Sequence, residues 1–202
     1  MTTNRLEAFS DGVIAIIITI MVLELKVPHV ADFNGLTPVL PVFCSYVLSF
    51  LYVGIYWNNH HHLFQSTCHV SGGILWANLH LLFWLSLFPF TTAWMGENHL
   101  ATAPTAVYGF VLLMAALAYY ILQSAIIAQQ GKGSLLVEAI GCDWKGKISP
   151  VCYFSAILLA FVNPLLSTGL YILVALVWLV PDRRIERMLV KTPHDLSHES
   201  EP

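Results

Sequence analysis

The sequence predicts an all-α integral membrane protein with six transmembrane helices in each subunit. Of its 202 residues, 57% are hydrophobic and only 10% are charged, and the mean hydropathy is +0.69. A soluble domain averages about 45–50% apolar and about 25% charged residues. This balance excludes an ordinary soluble enzyme and a disordered chain. The net charge of −3 also argues against a nucleic-acid partner.

Six apolar runs follow one another along the chain. A bilayer core about 30 Å thick requires roughly 20 helical residues. The predicted helices cover about Phe9–Leu25, Val39–Trp57, Ile74–Trp94, Ala106–Ala128, Ile148–Val162 and Leu165–Val180. The last two share one apolar stretch. Because proline disfavours helix in the residue before it, we predict a tight turn at Asn163-Pro164.

The positive charges predict the orientation. The first run carries acidic residues and lacks a small-residue cleavage site, so we interpret it as a retained helix. With six spans both termini share one side, which would hold Arg5, Lys132, Lys145, Lys147, Arg183, Arg184, Arg187 and Lys191. Only Lys26 falls on the other side. The positive-inside rule predicts cytoplasmic termini in an inner or plasma membrane. Residues 1–202 would form a single transmembrane domain with a polar cytoplasmic tail at about 181–202.

Polar side chains concentrate at the cytoplasmic end of the first three predicted helices. Those on the first helix are Arg5, Glu7, Ser10 and Asp11. Such groups are costly in a membrane unless they find partners. The same end would hold Trp57, the run His60 to His62, and Asn78. We expect a polar network that anchors the first helix, formed by Arg5, Ser10, Asp11, Trp57, Asn78 and some of the three histidines. The alternative is that Ser10 and Asp11 cap a helix that begins there.

The histidine run does not favour a metal site. Neighbouring residues on a helix point about 100° apart, so His60 to His62 cannot all ligate one ion. The cysteines lack paired spacing and are expected to be free thiols: Cys44, Cys68, Cys142 and Cys152. Nucleotide-binding, hydrolase and protease motifs are absent from the sequence, as is the filter motif TVGYG. We therefore expect neither catalytic residues nor a metal.

The middle of the first helix carries two stripes. Ile16, Ile20 and Leu23 recur at i, i+4 and i+7 and so share one face, with Thr19 beside them. The second stripe consists of small residues: Ala8, Gly12, Ala15 and Thr19. Small residues allow helices to approach closely in lipid. A β-branched stripe also suits a lipid-facing surface, and the periodicity leaves both interpretations open.

The opening helix resembles that of the transmembrane protein 175 family. The matching residues are Arg5-x-x-x-Phe9-Ser10-Asp11-Gly12, followed by the run through Thr19 to Leu23-Glu24 that closes at Pro28. Trp57 with a nearby histidine, and Asn78 followed by Pro89-Phe90-Thr91, support the resemblance. It covers about residues 5–94, and the later spans match in number and hydrophobicity only.

The resemblance implies a potassium-permeable cation channel rather than an enzyme. It also implies a tetramer in which the first helix of each subunit lines the pore. Carried onto this chain, the pore constriction falls on Ile16, Ile20 and Leu23, and Thr19 contributes modest selectivity for K⁺ over Na⁺. A structural or gating network would comprise Arg5, Phe9, Ser10, Asp11, Trp57, His60, His61 and Asn78. The expected partners are potassium ions, the lipid bilayer and further copies of the chain, and the permeant ions take the place of a cofactor.

Two other functions remain as alternatives. One is a proton-coupled or ion-coupled transporter that uses Asp11 and the cytoplasmic-side histidines as a relay. Against it, the polar character of the first span has no counterpart in the fourth, so an inverted repeat is not supported. The other is a membrane enzyme with a histidine-bound metal, which the spacing of the histidines disfavours.

Overall fold

The described part of the chain consists of helices connected by short turns. The computed structural model describes residues 2–29, 31–65, 67, 69–130 and 144–179. The helices are α1 (Thr3–Leu23), α2 (Leu40–Gln65), α3 (Gly72–Ser86), α4 (Phe88–Glu97), α5 (Thr102–Gln130), α6 (Trp144–Ala160) and α7 (Pro164–Leu179). A 3-10 helix, Phe33–Val39, leads directly into α2. Cys68, Lys132, Cys142 and the predicted tail lie outside the described residues.

The helices form six runs, which confirms the predicted all-α, six-span fold. Four runs are long and apolar enough to cross a bilayer: Thr3–Leu23, Phe33–Gln65, Gly72–Glu97 and Thr102–Gln130. The remaining two, α6 and α7, have 17 and 16 residues. They meet at the predicted turn, where the Asn163 side chain accepts a hydrogen bond from the Leu165 N–H at 2.9 Å.

Two helix boundaries differ from the sequence-based expectation. Because α1 begins at Thr3, Ser10 and Asp11 lie within the helix, and the alternative that they cap its start is wrong. The third run, expected as one helix, is broken at Leu87 into α3 and α4. Pro89 explains the break, since a proline has no N–H to donate to the preceding turn and is tolerated at the start of a helix.

A central group of buried hydroxyl groups joins four of the helices that follow α1. The Thr92 hydroxyl donates to Ser49 Oγ at 2.7 Å, and Ser49 Oγ lies 3.0 Å from the Tyr108 hydroxyl. The Tyr52 hydroxyl donates to the Tyr171 carbonyl at 2.6 Å. These bonds connect α2 with α4, α5 and α7, so the later helices form one packed unit against which α1 can be positioned.

Two glycines allow close contacts between helices. A Cβ atom at Gly96 of α4 would lie 2.6 Å from the Cα atom of Val42 on α2. A Cβ atom at Gly109 of α5 would overlap the hydroxyl of Tyr171 on α7. That hydroxyl is held in place because it donates to the Thr105 carbonyl at 3.2 Å. Both positions therefore require a residue without a side chain.

The substitution Gly109→Ala is expected to destabilise the subunit by about 1–3 kcal/mol, because overpacking forces neighbouring atoms to move. Thermal unfolding in detergent, followed by tryptophan fluorescence, measures this loss. Gly169→Ala is the matched control, since no atom lies within 4 Å of its added Cβ. Equal unfolding midpoints for the two variants would show that the neighbours of Gly109 make room for a methyl group without loss of stability.

Candidate pore helix and its polar anchor

Helix α1 has one buried face and one uncovered face. The buried residues, each at most 3% exposed, are Leu6, Ser10, Ile14, Ile17 and Met21. They follow the helical repeat and pack towards α2, α3 and α4. The rest of the subunit therefore fixes the rotation of α1 about its own axis.

The uncovered face carries the residues predicted for the constriction. The exposed fractions of Ile16, Ile20 and Leu23 are 59%, 43% and 74%. Thr19 lies on the same side, and its hydroxyl donates to the Ala15 carbonyl at 2.9 Å. Phe9 is 50% exposed. The structure thus leaves these five side chains exposed on one side of α1.

The inner part of the polar anchor is a chain of hydrogen bonds across three helices. His60 Nε2 lies 2.8 Å from Asn78 Oδ1, and the histidine is the donor because an amide oxygen can only accept. Asn78 Nδ2 donates to Ser10 Oγ at 2.9 Å, and the Ser10 hydroxyl donates to the Leu6 carbonyl at 2.9 Å. Ser10, His60 and Asn78 are each 0% exposed. This chain connects α1 to α2 and α3 in the interior.

The outer part consists of two side-chain contacts one helical turn apart. Trp57 Nε1 donates to Asp11 Oδ1 at 3.0 Å. His61 Nδ1 lies 2.6 Å from Glu7 Oε1, and His61 Nε2 lies 2.8 Å from the side-chain nitrogen of Gln65. Since α1 and α2 run in opposite directions, the later acid on α1 pairs with the earlier aromatic residue on α2. The two contacts fix the register of α1 along α2.

The network that the structure brings together differs in membership from the predicted set. Glu7 takes part although it was not among the candidate site residues. The four-residue spacing of Glu7 and Asp11 on α1 matches that of Trp57 and His61 on α2, and this matched spacing could have revealed it.

Three of the other residues that were considered stay outside the network, and Phe9 is one of them, since it lies 50% exposed on the uncovered face of α1. Arg5 is exposed and has no hydrogen bond or ion pair with any described residue. It lies on the uncovered side of α1, away from Ser10. The ring of His62 packs against that of His61, with centroids 5.6 Å apart, but joins none of the hydrogen bonds above.

At the far end of the bundle, opposite the N-terminus, the charges have local partners. Lys26 Nζ lies 2.5 Å from Glu97 Oε1, and this hydrogen bond raises the pKa of the Lys26 ammonium group above its usual value. Asp32 accepts hydrogen bonds from the N–H groups of Asn34 and Gly35 at 2.9 and 3.1 Å. The Lys26–Glu97 pair is exposed and contributes little to stability. Asp32 is the N-cap of the 3-10 helix and satisfies two of its first N–H groups.

Taken together, the fold and the site define a multi-pass helical membrane protein whose first helix is anchored on one face and uncovered on the other. Among the described residues, no group of three or more histidine, cysteine, aspartate or glutamate side chains could hold a metal ion.

A family model described as the endosomal/lysosomal potassium channel TMEM175 matches residues 5–89. A potassium channel of Chryseobacterium sp. (strain P1-3) is 58% identical over 94% of this chain and 98% of that protein. A potassium channel of Chamaesiphon minutus is 30% identical over 86% of this chain and 92% of its own. The chain belongs to the TMEM175 family, a family of channels and not of enzymes.

A solved structure supports the same assignment. The crystal structure of a lysosomal potassium-selective channel TMEM175 homolog from Chamaesiphon minutus matches with a TM-score of 0.76 and 30% identity. The match covers 88% of this chain and 96% of that one. It therefore includes the later helices, for which the sequence resemblance gave only number and hydrophobicity.

Proposed function

We propose that the protein is a potassium-permeable channel in which four copies surround a pore lined by α1. The observation that carries the proposal is the uncovered apolar face of α1, since the opposite face is buried and anchored. In a ring of four subunits, these apolar faces would be turned towards one another and towards the pore. The relatives named as potassium channels support K⁺ as the permeant ion.

The proposed constriction is formed by Ile16, Ile20 and Leu23. Apolar side chains offer no oxygen atoms to replace the water around K⁺, and a narrow apolar ring closes a pore by dewetting. Conduction then requires the ring to widen enough for a partly hydrated ion. A gate of this kind needs neither a bound cofactor nor a metal.

The side of the membrane is also part of the proposal. Arg5, Lys145 and Lys147 lie at the starts of α1 and α6, whereas Lys26 follows the end of α1. By the positive-inside rule, we expect the starts of α1 and α6 to lie on the cytoplasmic side. The whole chain, residues 1–202, then acts as one channel domain in the inner or plasma membrane with both termini cytoplasmic.

Thr19 supplies the proposed selectivity. Its hydroxyl hydrogen is used by the Ala15 carbonyl, so the lone pairs of the oxygen remain available on the uncovered face. Thr19→Val removes that oxygen at nearly constant shape and is expected to lower the K⁺/Na⁺ permeability ratio about two- to fivefold, which corresponds to about 0.4–1 kcal/mol. The reversal potential with K⁺ on one side of a planar bilayer and Na⁺ on the other measures the ratio. Thr168→Val on α7, where the hydroxyl likewise bonds a carbonyl within its own helix, is the control.

The same bilayer recordings test the proposed function itself. Unitary current steps carried by K⁺ would establish a channel. Saturable flux with a fixed stoichiometry and no unitary steps would instead favour a coupled transporter that uses Asp11 and the histidines. Chemical cross-linking of the purified protein should give a ladder that ends at four copies, and a ladder ending at two would contradict the tetramer.

A further inference from the structure

Arg5 is the charged residue of α1 that the polar anchor does not use. The other two charged residues of α1 are Glu7 and Asp11. They contact His61 and Trp57, so their side chains are directed towards α2. Arg5 is exposed and makes no hydrogen bond or ion pair with any described residue. Its charge is therefore not neutralised within the described part of the subunit.

The helical repeat places Arg5 on the uncovered face of α1. Leu23 lies about five full turns beyond Arg5 and Ile16 about three, so the three side chains point within about 20° of one another. By the same geometry, Asp11 points about 120° and Glu7 about 160° away from Arg5. Arg5 thus extends the stripe of the proposed constriction to the N-terminal end of α1.

The helices that pack against α1 do not place a further carboxylate near Arg5. These helices are α2, α3 and α4. Neither α2 nor α3 contains an aspartate, glutamate, lysine or arginine, and the histidines at the end of α2 can only add positive charge. The acidic residue of α4, Glu97, lies at the opposite end of the bundle beside Lys26. Among the described residues, the uncovered face at this end is therefore positive.

We propose that four copies of Arg5 form a ring of positive charge at the cytoplasmic mouth of the pore and make the channel rectify. This rests on the proposed function, because the ring forms only if four α1 helices surround a pore. A positive ring lowers the concentration of K⁺ at its own mouth, since like charges repel. Current carried by K⁺ that enters from the Arg5 side is therefore smaller than the opposite current at the same voltage of opposite sign.

The first test is the salt dependence of rectification in the full wild-type chain, recorded as single channels in a planar bilayer. Salt screens exposed charges over about 10 Å at 0.1 M and about 3 Å at 1 M. With 0.1 M KCl on both sides, the two currents are expected to differ about two- to threefold, and with 1 M KCl they should be nearly equal. This comparison does not depend on the folding of any variant.

Three variants test whether Arg5 is the source. At 0.1 M KCl, Arg5→Gln should give nearly equal currents in both directions, whereas Arg5→Lys should keep the asymmetry because it keeps the charge. Lys147→Gln is the matched control. Lys147 is an exposed basic residue at the same end of the bundle, but it belongs to α6, which packs mainly against α5 and α7. Its removal should leave the wild-type asymmetry.

A cysteine at position 5 gives the direction of the effect. A positively charged methanethiosulfonate reagent, added to one chamber, should reduce the current of K⁺ that enters Arg5→Cys channels from that chamber. A negatively charged reagent should increase it. The wild-type protein treated in the same way is the control for the native cysteines, which are Cys44, Cys68, Cys142 and Cys152.

Equal currents in the wild-type protein at 0.1 M KCl would overturn the proposal, and this is the result expected if Arg5 pairs with a carboxylate of a neighbouring subunit. An asymmetry that persists in 1 M KCl or in Arg5→Gln, or that disappears in Lys147→Gln, would overturn it as well. The absence of any unitary K⁺ current would contradict the channel function itself. Symmetrical K⁺ currents would contradict only the role of Arg5.

Discussion

The substitution Ile16→Asn is expected to raise K⁺ flux through proteoliposomes by about tenfold, which corresponds to a barrier lower by about 1.4 kcal/mol. Ile16 is 59% exposed in the subunit and begins the uncovered stripe of α1 that continues with Ile20 and Leu23. Four asparagine side chains would keep the proposed constriction wet, so the closed pore would leak. Efflux of K⁺ from loaded vesicles measures the change.

Leu173→Asn is the control for this experiment. Leu173 is 56% exposed and lies within α7, so the two variants place the same polar group on similarly exposed helix surfaces. Flux through Leu173→Asn should equal that of the wild-type protein. An Ile16→Asn variant that folds and assembles but does not leak would remove Ile16 from the constriction.

The sequence was sufficient to predict the six helical runs, but neither the break at Leu87 nor the rotation of α1. Apolar length predicted the helices, and Asn163-Pro164 predicted the turn between α6 and α7. The stripe of Ile16, Ile20 and Leu23 was also visible from its spacing. Spacing alone cannot distinguish a stripe that packs inside a subunit from one that the subunit leaves open. The partners of Ser10 decided this, because they bury the opposite face.

The interior of the later helices was beyond prediction from sequence. Tyr52, Tyr108 and Tyr171 lie on three different helices, and no short motif connects them. Their hydroxyl groups meet partners only through the packing of α2, α5 and α7. The same holds for Gln123, a buried polar residue in the apolar helix α5, whose neighbours on α2 and α6 no short motif indicates.

The polar anchor predicts the largest loss of stability in the molecule. Asn78 is fully buried and bonds both His60 and Ser10, so Asn78→Ala leaves the buried His60 Nε2 without a partner and removes one of the two hydrogen bonds of the buried Ser10 hydroxyl. Unpaired buried polar groups cost about 1–3 kcal/mol each in proteins generally, and about 0.6–1.7 kcal/mol is measured for hydrogen bonds between membrane helices. We therefore expect a total loss of about 2–4 kcal/mol. Thermal unfolding in detergent, followed by circular dichroism, measures it.

The unfolding midpoints of two further variants show whether the loss of stability is specific to the polar anchor. Asn98→Ala removes an exposed hydrogen bond to the Trp94 carbonyl and should leave the unfolding midpoint nearly unchanged. Asp11→Ala removes only the more exposed bond from Trp57, so its destabilisation should be intermediate. If the anchor also holds α1 in position for assembly, the fraction of tetramer should be highest for Asn98→Ala, intermediate for Asp11→Ala and lowest for Asn78→Ala. A stable, fully tetrameric Asn78→Ala protein would mean that packing of Leu6, Ile14, Ile17 and Met21 alone fixes the rotation of α1.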